Sequence, residues 1–164
     1  MAAGRWVLPV VGLAAVLCAP AATWPQAITD EKGFVTLKLG HEEWSDYPGI
    51  AGIKYMLVSG DLKKPGPYVV RVRFSPGTMS MPHFHPEDRL ATVLKGTWYT
   101  GIGDTFDPDN TVPLPPGSFM KHPAGQAHFD GAKDEEVILQ LIGVGPSGTT
   151  FIKPDLGSVG RSVK

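Results

Sequence analysis

The feature that most constrains this fold is the punctuation of the chain: apolar runs of strand length, each closed by a turn-forming breaker. The runs are Phe34 to Leu39, Ile53 to Val58, Tyr68 to Phe74, Met79 to His85, Leu90 to Leu94, Thr97 to Gly101, Ser118 to Lys121, Val137 to Val144 and Thr149 to Ile152. They are rich in Val, Ile, Phe and Tyr and too short for helices. Between them stand Gly60-Asp61, Lys64-Pro65-Gly66-Pro67, Ser75-Pro76-Gly77, Pro86-Glu87-Asp88, Lys95-Gly96, Asp107-Pro108-Asp109-Asn110, Pro115-Pro116-Gly117 and Ala124-Gly125. Short strands joined by close turns predict an all-β, antiparallel sandwich or barrel. A brief helix fits only around Glu42 to Trp44. At 164 residues and 42% hydrophobic, the chain suffices for one domain with a sizeable core and is too short for two.

The N-terminus reads differently. Arg5 precedes the apolar run Trp6 to Leu17, which ends in Cys18-Ala19-Pro20-Ala21-Ala22. A basic start, an apolar stretch and a small-residue end form a secretory signal pattern over residues 1–22, which leaves 23–164 as a single mature domain. Pro9, Gly12 and Pro20 argue against the rival reading, a membrane anchor, as does a length short of the roughly 20 apolar residues a spanning helix needs. Leu17 before Cys18 is also too large for a lipoprotein signal. The expected location is extracytoplasmic, periplasmic or secreted. Cleavage near Ala21 or Ala22 would remove the only cysteine, leaving His and carboxylates as the available ligands for a transition metal. Fifteen basic against 16 acidic residues give no basic excess, so neither nucleic acid nor an anionic membrane surface is an expected partner.

Four of the five histidines, His83, His85, His122 and His128, lie close together in the sequence, with His41 apart. Residues two apart on a strand share a face, so His83 and His85 can share one ion, and His128 could complete the site from another strand pair. Alone, an HxH pair reads equally well as two half-exposed strand histidines.

The surroundings add to this. Gly77, five residues, His83-x-His85, ten residues and Gly96 form one block. Gly117, five residues, Pro123-x-Gly125, two residues and His128 form a second. In order and separation these blocks resemble the paired motifs of the cupin superfamily, over roughly Pro67 to Val144. The resemblance implies a cupin-type double-stranded β-helix, a jelly-roll barrel with a metal inside, and places His83, His85 and His128 at the ligand positions. It departs where the first motif has its Glu, here Arg89, and where the second ends in Asn, here Ala132. Glu87 and Asp88 lie in the neighbouring turn and are weaker candidates for the missing carboxylate. Three His without a carboxylate suit divalent Fe, Mn, Zn, Ni or Cu and leave positions open for water or substrate.

Other residues carry less. Gly143-x-Gly145-x-x-Gly148 matches a dinucleotide fingerprint by letter, but the chain continues as strand where a helix is required. Asp104, Asp107 and Asp109 lack EF-hand spacing and read as a solvated turn. No Gly-x-Ser-x-Gly supports a hydrolase serine. His122 reads as a surface or supporting residue, and Arg71 and Arg73 alternate with apolar residues and so face solvent. Gln140, inside a run apolar on both faces, either ties the sheet or lines the site. Arg89 is either a cation that steadies a substrate anion or a salt-bridge partner of Glu87 or Asp88.

Three functions follow as expectations. One is a metal-dependent enzyme of dioxygenase, isomerase or lyase type, acting on a small oxygen-bearing, anionic substrate with Arg89 and Gln140 in the catalytic site. The second is a non-enzymatic module that binds a small ligand or metal, and the third is a barrel that has lost its metal. A small molecule is the expected partner in the first two, and a homodimer is left open.

Overall fold

The computed structural model describes residues 27–38, 40 and 42–161. The expected export signal, with Cys18, and also His41 lie outside the described residues. Among the described residues no helix is long and apolar enough to cross a membrane.

The described chain is built from β1 (Ile28–Thr29), β2 (Val35–Thr36), β3 (Ser45–Asp46), β4 (Ile53–Ser59), β5 (Gly66–Phe74), β6 (Thr78–Ser80), β7 (His83–Phe84) and β8 (Arg89–Lys95). There follow β9 (Trp98–Ile102), β10 (Val112–Leu114), β11 (Phe119–His122), β12 (His128–Ala132), β13 (Val137–Gly145), β14 (Thr150–Phe151), a single 3-10 turn at Pro154–Leu156, and β15 (Val159–Arg161). All pairings are antiparallel. Apart from the separate β1-β2 pair, one sheet runs β11-β8-β13-β5-β4-β3 and the other β10-β9-β12-β6-β15, with β7 joining β12 to β14. Two antiparallel sheets with interleaved strand order are the jelly-roll architecture expected from the sequence.

Alternation explains the longest strands. In β5 the buried Tyr68, Val70, Val72 and Phe74 alternate with Val69, Arg71 and Arg73, and in β13 Val137, Leu139 and Leu141 do the same with Ile138, Gln140 and Ile142. These inward residues meet Ala91, Val93 and Trp98 in one core.

Three expectations are corrected. No helix forms at 42–44; the chain there is irregular and leads into β3. Met79 to His85 is not one strand but β6 and β7, broken at Met81 and Pro82. Proline lacks the N–H a continuous ladder would use, and the two halves pair on to different partners, β15 and β14. Arg71 and Arg73 lie on the outer face but are not simply solvated. Arg71 donates to Gln140 at 3.4 Å and lies 3.8 Å from Glu42, and the Arg73 guanidinium stacks 4.8 Å over the Trp44 ring.

Candidate metal centre

The two sequence blocks converge at one end of the barrel because their turns are tied together. Gly125 sits at φ +72, a left-handed conformation natural to glycine, and its N–H reaches the carbonyl of His85 at 2.8 Å. Asp88 holds the same turn from the other side, accepting from the Ala124 N–H at 2.8 Å and pairing with Lys121 at 2.6 Å. The close of the first block is equally restricted. Gly96 has φ +69, and a Cβ there would run into the carbonyl of Glu136.

His83 and His85 project from β7 and the residue that follows it, and His83 lies directly opposite His128 on β12. All three are buried, at 5%, 4% and 3% exposure. Ring centroids are 4.8 Å apart for His83 and His85, 4.3 Å for His83 and His128, and 5.1 Å for His85 and His128. One nitrogen from each lies within 4.8 Å of the other two.

Each ring is oriented by its Nδ1, which meets a backbone carbonyl: Met81 at 2.8 Å for His83, Gly148 at 2.8 Å for His85 and Gln126 at 3.1 Å for His128. A carbonyl only accepts, so Nδ1 carries the proton and Nε2 keeps its lone pair. Nε2 of His128 is buried with no hydrogen-bond partner. Imidazoles pinned in this way are the usual ligands of a transition ion, so the donor set fits a divalent metal held by His83, His85 and His128. Burial first, then the neighbouring positive groups, keeps the His83 and His85 rings neutral. His83 is pushed down to about 4, with the Asp130 charge partly opposing, and His85 falls further, with Arg89 adding to burial.

Arg89 is on the inner face of β8, in phase with Ala91 and Val93, and is 6% exposed. Its Nε donates to Glu87 Oε1 at 2.9 Å, and Nη2 donates to Ser147 Oγ at 2.6 Å and the Gly148 carbonyl at 3.0 Å. Nη1 donates to Nε2 of His85 at 3.3 Å. Glu87 in turn accepts from the Tyr68 hydroxyl at 2.7 Å. Neither candidate for the missing carboxylate joins the histidine clusters: Glu87 gives Oε1 to Arg89 and Tyr68 and leaves Oε2 buried without a hydrogen-bond partner, and Asp88 is committed to Lys121 and the Ala124 backbone. Gln140 is on the outer face with Arg71, while Leu139 and Leu141 beside it line the cavity. The structure thus brings Arg89 to the histidines and Gln140 to the sheet exterior.

Two further inner residues stand beside the trio: Asp130, which the sequence reading missed, and His122, which it left as surface or supporting. His122 is not at the surface: it is 3% exposed, and its ring lies 3.7 Å from that of His128. The readable signal was phase, since Met120 and His122 share one face of β11 and Phe119 and Lys121 the other. Asp130, two residues beyond His128 on β12, is 6% exposed and takes the Ser80 hydroxyl at 2.5 Å. Burial alone would raise its carboxyl, but His83, His128 and His122 together draw it below the usual carboxylate range. Between these groups and the core, a cavity of about 50 Å³ is lined by Tyr47, Ile53, Phe74, Arg89, Leu139 and Thr149, among others.

The fold and site together define a small jelly-roll barrel with a buried histidine cluster whose geometry could hold a metal ion. Comparison with known proteins makes this more specific. Germin-like protein subfamily 3 member 2 of Arabidopsis thaliana is 30% identical over 100 residues, 60% of this chain and 37% of that protein. Putative germin-like protein 2-1 of Oryza sativa is 29% identical over 143 residues, 82% of this chain and 65% of that one. The chain thus spans about a third and just under two thirds of these relatives. Among solved structures, the DMSP lyase DddQ of Ruegeria pomeroyi superposes with a TM-score of 0.57 at 17% identity, over 69% of this chain and 62% of that one. An RmlC-like cupin of Shewanella frigidimarina gives 0.52 at 18% identity, over 65% and 87%. No family model matches the sequence. The fold is that of the cupins, and the germin-like relatives together with these neighbours support a place in the cupin superfamily.

Proposed function

We propose that this protein is an exported, metal-dependent cupin enzyme that acts on a small, oxygen-bearing, anionic substrate by dioxygenase, isomerase or lyase chemistry. The observation that carries the reading is the trio His83, His85 and His128, each with Nδ1 anchored on a backbone carbonyl and Nε2 left to ligate. A bound divalent ion would supply Lewis acidity or, if redox-active, oxygen chemistry. The chain's own contribution is exclusion of water by the apolar cavity wall and a directed donor, Arg89.

That donor role follows from competition. Nε2 of His85 has one lone pair, so it cannot ligate an ion and accept from Arg89 at once. Nε and Nη2 stay fixed by Glu87, Ser147 and Gly148, and a displaced Nη1 is left to donate to a substrate oxygen inside the barrel. Gln140, on the outer face, is proposed only as a tie between strands. Export rests on Arg5, the Trp6 to Leu17 run and the Ala-rich end, and the mature N-terminus is expected between Ala21 and Trp24.

The test is metal quantitation on protein purified from its own compartment, then titration with a panel of small carboxylates. About one first-row ion per chain is expected, together with weaker carboxylate binding and unchanged metal content in Arg89→Ala. Protein that neither carries a metal nor takes up Zn²⁺ or Co²⁺ would overturn the reading. Metal and ligand binding with no turnover on acid, diketone or sugar panels would leave the non-enzymatic module instead.

A further inference from the structure

Beside the three-His cluster lies a second set that the proposed function leaves unused: His122, His128 and Asp130. One ligand atom from each lies within 4.8 Å of the other two, and all three residues are buried. They arrive from different sheets. The inward phase of β11 delivers His122, and β12 delivers His128 and Asp130 two residues apart. Nε2 of His122 and Nε2 of His128 are both buried without a hydrogen-bond partner. Native interiors leave few polar atoms in this state, and a missing ion is one reason for it. Asp130 adds an argument from charge. Ser80 satisfies one of its oxygens, but among the described residues no Lys or Arg pairs with it. A carboxylate at this depth is costly unless a cation accompanies it. Two imidazoles and a carboxylate short of a cation form a donor set for a first-row divalent ion.

We propose that His122, His128 and Asp130 form a second seat for a divalent transition ion, overlapping the three-His seat through His128. The inference rests on the three-His reading only through that shared residue. Nδ1 of His128 is committed to the Gln126 carbonyl, so Nε2 alone can ligate, and its one lone pair serves one ion. The barrel therefore holds one ion per chain at either seat, and never one at each. The carboxylate that Arg89 displaces from the first motif is regained from the second, at Asp130. The seats differ in character: three neutral imidazoles leave the full charge of the ion exposed, whereas Asp130 offsets part of it and suits a harder ion.

Titration of metal-stripped protein with Co²⁺, read by equilibrium dialysis and visible absorption, tests the proposal, with circular dichroism to establish folding. The wild-type chain is expected to bind about one Co²⁺. The His83→Ala/His85→Ala variant should still bind about one, with an altered cobalt spectrum, and adding Asp130→Asn should weaken that binding roughly tenfold or more. His83→Gln/His85→Gln, which keeps more of the buried volume, carries the same expectation should the alanine pair fail to fold. A folded double variant that takes up no Co²⁺, or whose affinity ignores Asp130→Asn, overturns the second seat and leaves the three-His reading standing. If His122→Ala/Asp130→Asn loses all Co²⁺ while His83→Ala/His85→Ala keeps it, the second seat holds and the three-His reading falls. A wild-type protein that takes up no Co²⁺ overturns both.

Discussion

Glu87 and Arg89 form an ion pair inside the barrel: Nε to Oε1 is 2.9 Å, and the side chains are only 9% and 7% exposed. Enclosed this way, each charge depends on the other. Removing one partner strands the other in a low-dielectric site, which costs roughly 3–5 kcal/mol for a buried pair. Glu87→Gln and Arg89→Met should each destabilise by about that much, and the double variant by clearly less than the sum. Guanidinium denaturation of the four proteins measures it. Single variants within about 0.5 kcal/mol of wild type would mean that water screens the pair.

Acid should destabilise the metal-free protein over a defined window. Burial, the largest cause in each case, holds His83 down to about 4 and His122 down to about 3, against 6.5 for a free imidazole. Unfolded chains therefore bind protons at these positions before folded ones do. Stability is at full strength above about pH 6.5 and is lost progressively as pH falls toward 4 and then 3. Thermal melts in chelator across pH 3 to 8 should be flat at the upper end and decline below about 6.5. His83→Ala should shrink the decline, and a profile identical to wild type would refute the assignment.

The parts of the fold that were readable are those in which alternation and apolarity coincide. β5, β8 and β13 bury every second residue, and each lies inside or across a run recognised from composition. β12 is the opposite case: His-Phe-Asp-Gly-Ala is buried at all five positions yet has no apolar run, because this strand carries site residues in place of core ones. β10 was hidden by Pro113, tolerated there because β10 is the sheet's outermost strand. The three motif histidines were readable through the resemblance of the two blocks to the cupin motifs, since the HxH spacing alone left their role open. His122 and Asp130 depend on strand phase within segments whose register only tertiary pairing fixes, such as His122 opposite Arg89. The outward placement of Gln140 follows from the same phase, set by Leu139 and Leu141 facing the core.

Gly131 links sheet packing to the site. A Cβ there would run into the carbonyl of Thr78 and the Cα of Met79, which are backbone atoms that cannot turn aside. β12 would have to move away from β6, carrying Asp130 and its Ser80 contact with it. Gly131→Ala should therefore cost about 1–3 kcal/mol, as overpacking does, and should weaken Co²⁺ binding along with stability. Gly148→Ala is the control, because its Cβ would meet only Pro86 ring carbons at 3.6 Å, an ordinary contact. Equal effects of the two on metal affinity would count against close β6–β12 packing as the cause.

Metal removal should lower thermal stability by an amount fixed by affinity. Folding assembles His83, His85 and His128 from distant parts of the chain, so the unfolded state offers the ion no comparable site and binding favours the native state alone. At free Zn²⁺ about 100-fold above the dissociation constant, the gain is about 2.7 kcal/mol, and it grows by about 1.4 kcal/mol for each further tenfold excess. The melting temperature should rise with the logarithm of free Zn²⁺ and return to its starting value in excess chelator. Because His128 serves both proposed seats, His128→Ala should flatten that dependence entirely, whereas His83→Ala/His85→Ala should only shift it to higher Zn²⁺. A His128→Ala protein that still gains stability with Zn²⁺ would place the ion elsewhere.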